Sequence, residues 1–434
     1  MNELYLRLTA QDPLVARDGR PFGAGSGTRM KSLAWLSPSV VAGSFRTAWA
    51  KHNEIENQTF NDALVKKLKA FEIAGVFPMV ADELYLPCPN DVVLVPNKDE
   101  CQPATAVAAK PYSNWPSDGA GCDLPHGIKP VILSPGDAPD DFKPESLPKW
   151  WPMWAMTQWL LENEVSFLNN SENRYPFLDS PHLEERDHVE IEPGSGAAKD
   201  GRLFTTAALN LTQMKRYKQK MPSPTKKVEC KLNEVKKELP IPESPFVNID
   251  LATRVRGTGG QPIDYLHPLG GERRLVRWHQ EATGANPWGC PADLAAKLKG
   301  APRVRMVLVS PGIFQHGWQP GWLKLEGKEV KYLEGTPPMP NAKAGPKLRL
   351  VGVCNERWKA ISGWSYEKNK VGPKAIRRMV PAGAVYFFEV LENREHLPEL
   401  WLESVCDDEQ DRRDGFGLAV WGTWQLGEVK SANK

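Results

Sequence analysis

The sequence predicts an α+β fold, on three observations. Strand-like and helix-like stretches alternate without the strict strand–helix–strand rhythm of a doubly wound sheet. Several strand candidates carry one apolar and one polar face, the pattern of an antiparallel sheet covered on one side. The 434 residues are 41% hydrophobic and 25% charged, a globular composition with enough apolar surface for about two or three domains.

The first element is a half-buried strand over residues 4–10, with Leu4, Leu6 and Leu8 on one face and Tyr5, Arg7 and Thr9 on the other. Asp12-Pro13 and a glycine-rich connection, Gly19 to Thr28, follow. Ser37-Pro38-Ser39 then starts a helix, with a hydroxyl able to cap and a proline in the first turn. Val41, Phe45, Ala48 and Trp49 give that helix one apolar face. Residues 61–71 read as a second short helix and 151–169 as a third. Residues 84–148 are Pro-rich and irregular, with strand pieces at Val92–Val95 and Val131–Leu133. His188–Glu192 and Leu203–Leu211 read as two strands joined by a glycine-bearing loop. The lysine- and proline-rich stretch 214–245 reads as an exposed insertion or linker.

A second half begins at about Phe246. Its strand candidates are Phe246–Leu251, Arg274–Trp278, Arg303–Val309, Leu348–Cys354, Ala384–Val390 and Gly417–Trp421. Asp293–Leu298 is a helix candidate and Ala375–Met379 a helical turn. Two units are therefore expected, 1–245 and 246–434, with insertions at 97–145 and 214–245. Their similar size suits a duplicated domain.

Composition narrows function by exclusion. The seven cysteines form no C-x-x-C pair, so neither a zinc site nor a disulfide framework is expected, and a reducing cytoplasm is the simple reading. The start Leu4-Tyr5-Leu6-Arg7-Leu8 lacks the form of a secretory leader, and no apolar run is long enough for a membrane span. No H-E-x-x-H or G-x-S-x-G occurs, and the scattered histidines show no metal-ligand spacing. No cofactor is expected. The formal net charge of +2 announces no nucleic acid by itself, so the distribution of charge must decide.

That distribution is clustered. The glycine-rich loop after the first strand is flanked by Arg17, Arg20, Arg29 and Lys31, cations able to pair with phosphate oxygens. It lacks the Gly-Lys-Ser/Thr ending of a phosphate loop, and a plain flexible connection also fits it. Arg46 stands at the edge of the first helix, either turned to solvent or aimed at nucleic acid. Gly270-Gly271 precede Arg273, Arg274 and Arg277, with Trp278 alongside, which suits phosphate neutralisation plus base stacking. A charged edge strand is the alternative there. Lys374, Arg377 and Arg378 precede the apolar strand Ala384–Val390. Arg412 and Arg413 flank Gly415-Phe416-Gly417, where glycine permits positive φ and close backbone approach to a ligand. The acidic run Asp407–Asp411 before it is expected to face away from RNA, toward a partner.

Five stretches in order carry a family likeness. They are Asp12–Phe22; Ala42–Thr47; His188–Glu192 leading into Asp200–Phe204; Leu269–Arg274; and Ile361–Trp364 through Pro381–Glu389, closing on Gly415-Phe416-Gly417. Together they resemble the RAMP (repeat-associated mysterious protein) superfamily of CRISPR systems, most nearly the subunit of type III-B (Cmr) effector complexes that holds the 5′ handle of the guide RNA. The resemblance implies two ferredoxin-like (RRM-type) domains packed together, each with a glycine-rich loop facing RNA. It implies a non-catalytic, RNA-binding subunit in antiviral defence. Its partners would be the guide RNA, a large polymerase-type subunit, backbone RAMP subunits and, indirectly, target RNA. A β-hairpin thumb is also implied, for which the loop 19–36 and the insertion 97–130 are the candidates. The rival within the superfamily is a metal-independent guide-RNA processing endonuclease, which needs a histidine general acid/base. His52 ends the first helix rather than opening it, which disfavours that reading.

Overall fold

The computed structural model describes residues 3–17, 28–30, 32–54, 60–97, 104–113, 123–125, 127–134, 136–139, 141–163, 165, 176–217, 245–280, 286–328, 331–340, 344–365 and 371–426. Arg20, Lys31 and most of 214–245 lie outside them.

The architecture is mixed α/β and sheet-dominated, with one 11-stranded and one seven-stranded sheet. The first strand, Glu3–Ala10, buries Leu4, Leu6 and Leu8 as its alternation requires. It lies between Asp250–Arg256 and Leu275–Gln280, antiparallel to both. Glu72–Val80 pairs antiparallel on the far side of Asp250–Arg256. In chain order these four strands therefore lie 4-1-3-2. In the second sheet Arg303–Leu308, Lys347–Cys354, Val385–Glu392 and Leu418–Thr423 repeat that 4-1-3-2 order, again antiparallel throughout.

The connections differ between the sheets. The first crossover of the first sheet carries helices α1 (Pro38–Asn53) and α2 (Asp62–Lys69), and its second carries the strand Asp264–Pro268. In the second sheet the last crossover carries a 3-10 helix, Arg394–Leu400, and a short helix, Glu409–Arg413. The strands from 246 to 280 belong to the first sheet, so the sheets divide the chain after Gln280, not at 246.

Helix α1 covers one face of the first sheet. Its apolar residues Val41, Phe45, Ala48 and Trp49 are fully buried, with Phe45 against Trp278 at 5.4 Å and Trp49 edge-on to Phe71 at 4.8 Å between ring centroids. Ser37 takes the extended cap conformation but its side chain makes no capping bond; its hydroxyl lies 3.1 Å from that of Ser39. The opposite face of the sheet, with Phe77, Met79 and Ala252, shares a core with Val304, Met306 and Phe388 of the second sheet. The third helix is shorter than expected, Met153–Glu162, because Trp150–Pro152 pairs as a strand with Tyr85–Pro87. The expected helical turn at 375–379 is a strand, Arg377–Met379, paired with Lys359–Ile361.

The largest departure is a long antiparallel hairpin, Leu178–Ile191 with Ala198–Arg216, exposed over most of its length. The expected strands 188–192 and 203–211 fall at the tip end of its first strand and in the middle of its second. Neither expected thumb segment forms such a projection among the described residues. Thr28–Arg29 adds to this hairpin in parallel at Phe204–Thr205, and the insertion forms two small two-stranded sheets.

A buried ion pair ties the first half to the second. Arg305 Nη1 donates to Asp91 Oδ2 at 2.5 Å, both side chains wholly buried, and Arg305 Nη2 donates to the carbonyl of Trp159. Trp159 Nε1 donates to the other carboxylate oxygen at 3.1 Å, so both carboxylate oxygens are bonded, while Arg305 Nε is left without an acceptor. Removing one partner strands the other in a low-dielectric interior. Asp91→Ala is expected to lower stability by about 3–5 kcal/mol in urea unfolding. The double variant Asp91→Ala with Arg305→Met should lose clearly less than Asp91→Ala alone.

Candidate nucleic-acid interface

Residues 12–17 leave the first strand and wedge between the long hairpin and the turn at 270–274. Leu14 and Leu209 exchange backbone hydrogen bonds of 2.9 and 2.7 Å. Gly271 N donates to Val15 O at 2.9 Å, and Arg17 bridges to Ser32. On the next layer Met30 N donates to Thr205 O at 2.9 Å, which fixes Arg29 beside the hairpin. Val15, Met30 and Ala208 form a small buried cluster beneath.

The turn is glycine-bearing for a steric reason. Gly270 has φ +80°, and a Cβ there would stand 2.4 Å from the Val15 carbonyl oxygen. Its glycine serves approach to the protein's own backbone. Glu272 and Arg273 both take left-handed φ of +57° and +51°. Two consecutive non-glycine residues there cost about 1–3 kcal/mol each, and the conformation leaves Arg273 exposed at the tip. The packing thus brings Arg17, Arg29, Arg273 and Arg274 to one side of the hairpin's middle from three separate stretches of chain. Among the described residues, Arg29, Arg273 and Arg274 make no ion pair, and Arg274 Nε is buried without an acceptor. Cations held without acids are what a phosphate backbone requires.

From Ser32 the chain runs into a cleft of about 620 Å³ between the two sheets, within the ~300–1,000 Å³ of ordinary ligand sites. Trp35 and Trp150, with ring centroids 4.5 Å apart, form one wall beside Lys149. Pro311, Lys359 and Met379 line the other. The first turn of α1 opens at this cleft with no acidic residue and no side-chain cap, leaving the positive end of its dipole uncovered. Sequence reasoning misses Trp35, Lys149 and Trp150. Their only signal is tryptophan abundance, which does not separate a wall from a core.

The remaining expected contacts lie elsewhere, many of them engaged inside the chain. Gly415-Phe416-Gly417 is buried: Gly415 has φ +89°, and a Cβ there would stand 2.5 Å from the Ile73 carbonyl oxygen of the first sheet. The loop is the joint between the sheets, not a surface facing RNA. Arg46 belongs to the same joint, donating to Asp414 Oδ1 at 2.6 Å and to Phe71 O at 2.8 Å. Arg412 donates to the carbonyls of Cys406 and Asp407, and Arg413 pairs with Glu409. Arg377 donates to both oxygens of Asp411 at 2.8 Å; burial, partly countered by Arg377, holds that carboxyl above its usual range. Arg277 pairs with Asp264 on the neighbouring strand, which lowers the Asp264 pKa through the hydrogen bonds it supplies. Lys374 and Arg378 are exposed on the ribbon around 359–379.

Part of the acidic run 407–411 is engaged inside the chain. Asp407 accepts from Gln315 N and Gly321 N at 2.8 and 2.7 Å, and Asp408 caps the helix Glu409–Arg413. Asp407 and Asp408 thereby organise the loop.

Among the histidines, His267 is buried and its pKa falls to about 4, chiefly through desolvation. His188 stacks on Phe204 at 5.2 Å and shares a 2.8 Å hydrogen bond with Thr206. Among the described residues no three His, Cys, Asp or Glu side chains are grouped so as to hold a metal ion, and no helix is long and apolar enough to cross a membrane.

The site sets an aromatic-walled cleft, with Lys149 and Lys359 in its lining, on a pair of antiparallel sheets. The family follows from sequence: residues 6–424 match the model described as CRISPR-associated protein (Cas_Cmr3), and the chain belongs to that family. A search of curated proteins gave no match. Among solved structures, the chain is similar to one in a cryo-EM structure of the Type III-B Cmr-beta bound to cognate target RNA. That match has 11% identity, covers 88% of this chain and 86% of the other, and has a TM-score of 0.41. A second is to a chain of the Type III-B Cmr-beta bound to cognate target RNA and AMPPnP, state 1, at 10% identity, 91% and 87% coverage and a TM-score of 0.37.

If Arg46 closes the joint, its loss acts on stability and not on RNA. Arg46→Ala should lower the unfolding free energy by about 2–4 kcal/mol, since the buried Asp414 carboxylate loses its counter-charge and keeps only the Gln410 amide. The salt dependence of RNA binding should keep its wild-type slope.

Proposed function

We propose that this chain is a non-catalytic subunit of a type III-B CRISPR effector that anchors the 5′ handle of the guide RNA. The carrying observation is the convergence of Arg29, Arg273 and Arg274, unpaired among the described residues, around the segment 12–17 and the middle of the long hairpin, with an aromatic cleft beyond Ser32. Phosphates would sit against the arginines and splayed bases against Trp35 and Trp150. The hairpin 178–216 would serve as the thumb. The 4-1-3-2 strand order in both sheets supports the reading of two ferredoxin-like units, the first with one crossover lacking a full-length helix and the second with both. Docking to the large polymerase-type subunit and to backbone subunits, and a cytoplasmic location, belong to the same proposal.

The handle assignment is tested with purified protein and labelled guide fragments. Arg273→Ala with Arg274→Ala should weaken handle binding at least tenfold while sparing 3′ guide fragments. Equal loss for both fragments would reduce the site to a general phosphate contact. Catalysis is tested by incubation with repeat RNA. Specific cleavage that disappears on His52→Ala or His188→Ala would overturn the non-catalytic reading in favour of a processing endonuclease.

A further inference from the structure

Beyond the cleft, the chain leaves the second sheet and forms an antiparallel ribbon. Lys359–Ile361 pairs with Arg377–Met379, and Trp364–Ser365 with Gly372–Pro373. One face is pinned to the protein. Ile361 and Met379 are buried there, and Arg377 reaches Asp411. Strand alternation sends the other set outward: Trp358, Ala360 and Trp364 on one side, Ile376 and Arg378 on the other. Exposure agrees, at 46% for Trp358, 55% for Trp364 and 70% for Ile376. The Arg378 guanidinium lies over the Trp358 ring at 4.7 Å.

Two half-exposed indoles on one small ribbon are a large apolar surface to leave in water. Charge decides what covers it. Over the described residues 355–365 and 371–379 the cations are Arg357, Lys359, Lys374, Arg377 and Arg378, and Glu356 is the sole acid. Arg377 is neutralised by Asp411 and Lys359 lies 3.7 Å from Glu356, which leaves Arg357, Lys374 and Arg378 beside the rings without an acid among the described residues. Flat aromatic faces interleaved with unneutralised cations match a single strand of nucleic acid, with bases stacking and phosphates paired. The ribbon root, Lys359 and Met379, also lines the cleft, so a strand leaving the cleft meets the ribbon next.

We propose that the outward face of this ribbon, Trp358, Trp364, Lys374 and Arg378, is a second platform for single-stranded RNA, read by stacking and not by sequence. It extends the handle reading but stands apart from it, because a sequence-blind platform binds RNA that carries no handle.

The test uses the full-length protein and a fluorescent oligouridylate, followed by anisotropy. Trp358→Ala with Trp364→Ala should weaken oligouridylate binding about tenfold. Trp364→Phe should retain most of the affinity, since a ring remains. Arg378→Glu should lower the slope of log affinity against log salt by about 0.7 for each phosphate no longer neutralised. All three should leave the preference for handle over non-handle RNA unchanged, whereas Arg273→Ala with Arg274→Ala should remove that preference and spare oligouridylate. Unchanged oligouridylate affinity in the double tryptophan variant, with unfolding like wild type, would overturn the platform while leaving the handle site standing. The same result accompanied by loss of a co-purifying protein subunit would assign the ribbon to a protein interface and overturn it equally.

Discussion

The interaction on which the rest depends is the close approach of the Gly415 loop to the first sheet. Only a residue without a Cβ can rest on the carbonyls of Ile73 and Gly75 at φ +89°. Around that point Arg46 clamps Asp414, Ser310 Oγ donates to Gly415 O at 2.8 Å, and Arg254 and Arg256 converge on Glu403. Each of these groups, Ser310 apart, joins the first sheet to the second. They fix the angle between the sheets, and that angle sets the width of the cleft between them. The arginines that seemed most suited to RNA are largely consumed here, because an interior joint between polar loops needs paired charge as much as a nucleic-acid surface needs unpaired charge.

The fold is partly legible in the sequence. Leu4, Leu6 and Leu8, and the α1 stripe of Val41, Phe45 and Trp49, fall where their periodicities place them, since each element buries one face. The strand Glu72–Val80 escapes such a reading because it is buried on both faces and so has no alternation, and Pro78 within it argues against a strand. The hairpin is legible over half its length. Glu184, Glu185, Arg186 and Asp187 look like a loop, yet a strand exposed on both faces has no apolar pattern to display.

The site is less legible for a different reason. Arg-x-Gly patterns report that a backbone must come close to something, not what that something is. At Gly270 the neighbour is Val15, and the tight turn directs Arg273 outward; at Gly415 the neighbour is Ile73, and the arginines turn inward. Both loops carry an arginine pair in sequence. Only the long-range pairing, 12–17 against 209 and 271, separates them, and such pairing leaves no local mark.

The proposed function places RNA beside the middle of the hairpin and at the cleft, and not at the Arg412–Gly417 loop. Photo-crosslinking tests that most directly, with a guide strand carrying 4-thiouridine through the handle and adducts mapped by mass spectrometry of the peptides. The account predicts adducts within 12–17, 28–38 and 269–274, with none at 412–417. Adducts concentrated at 412–417, with those three segments unmodified, would contradict it.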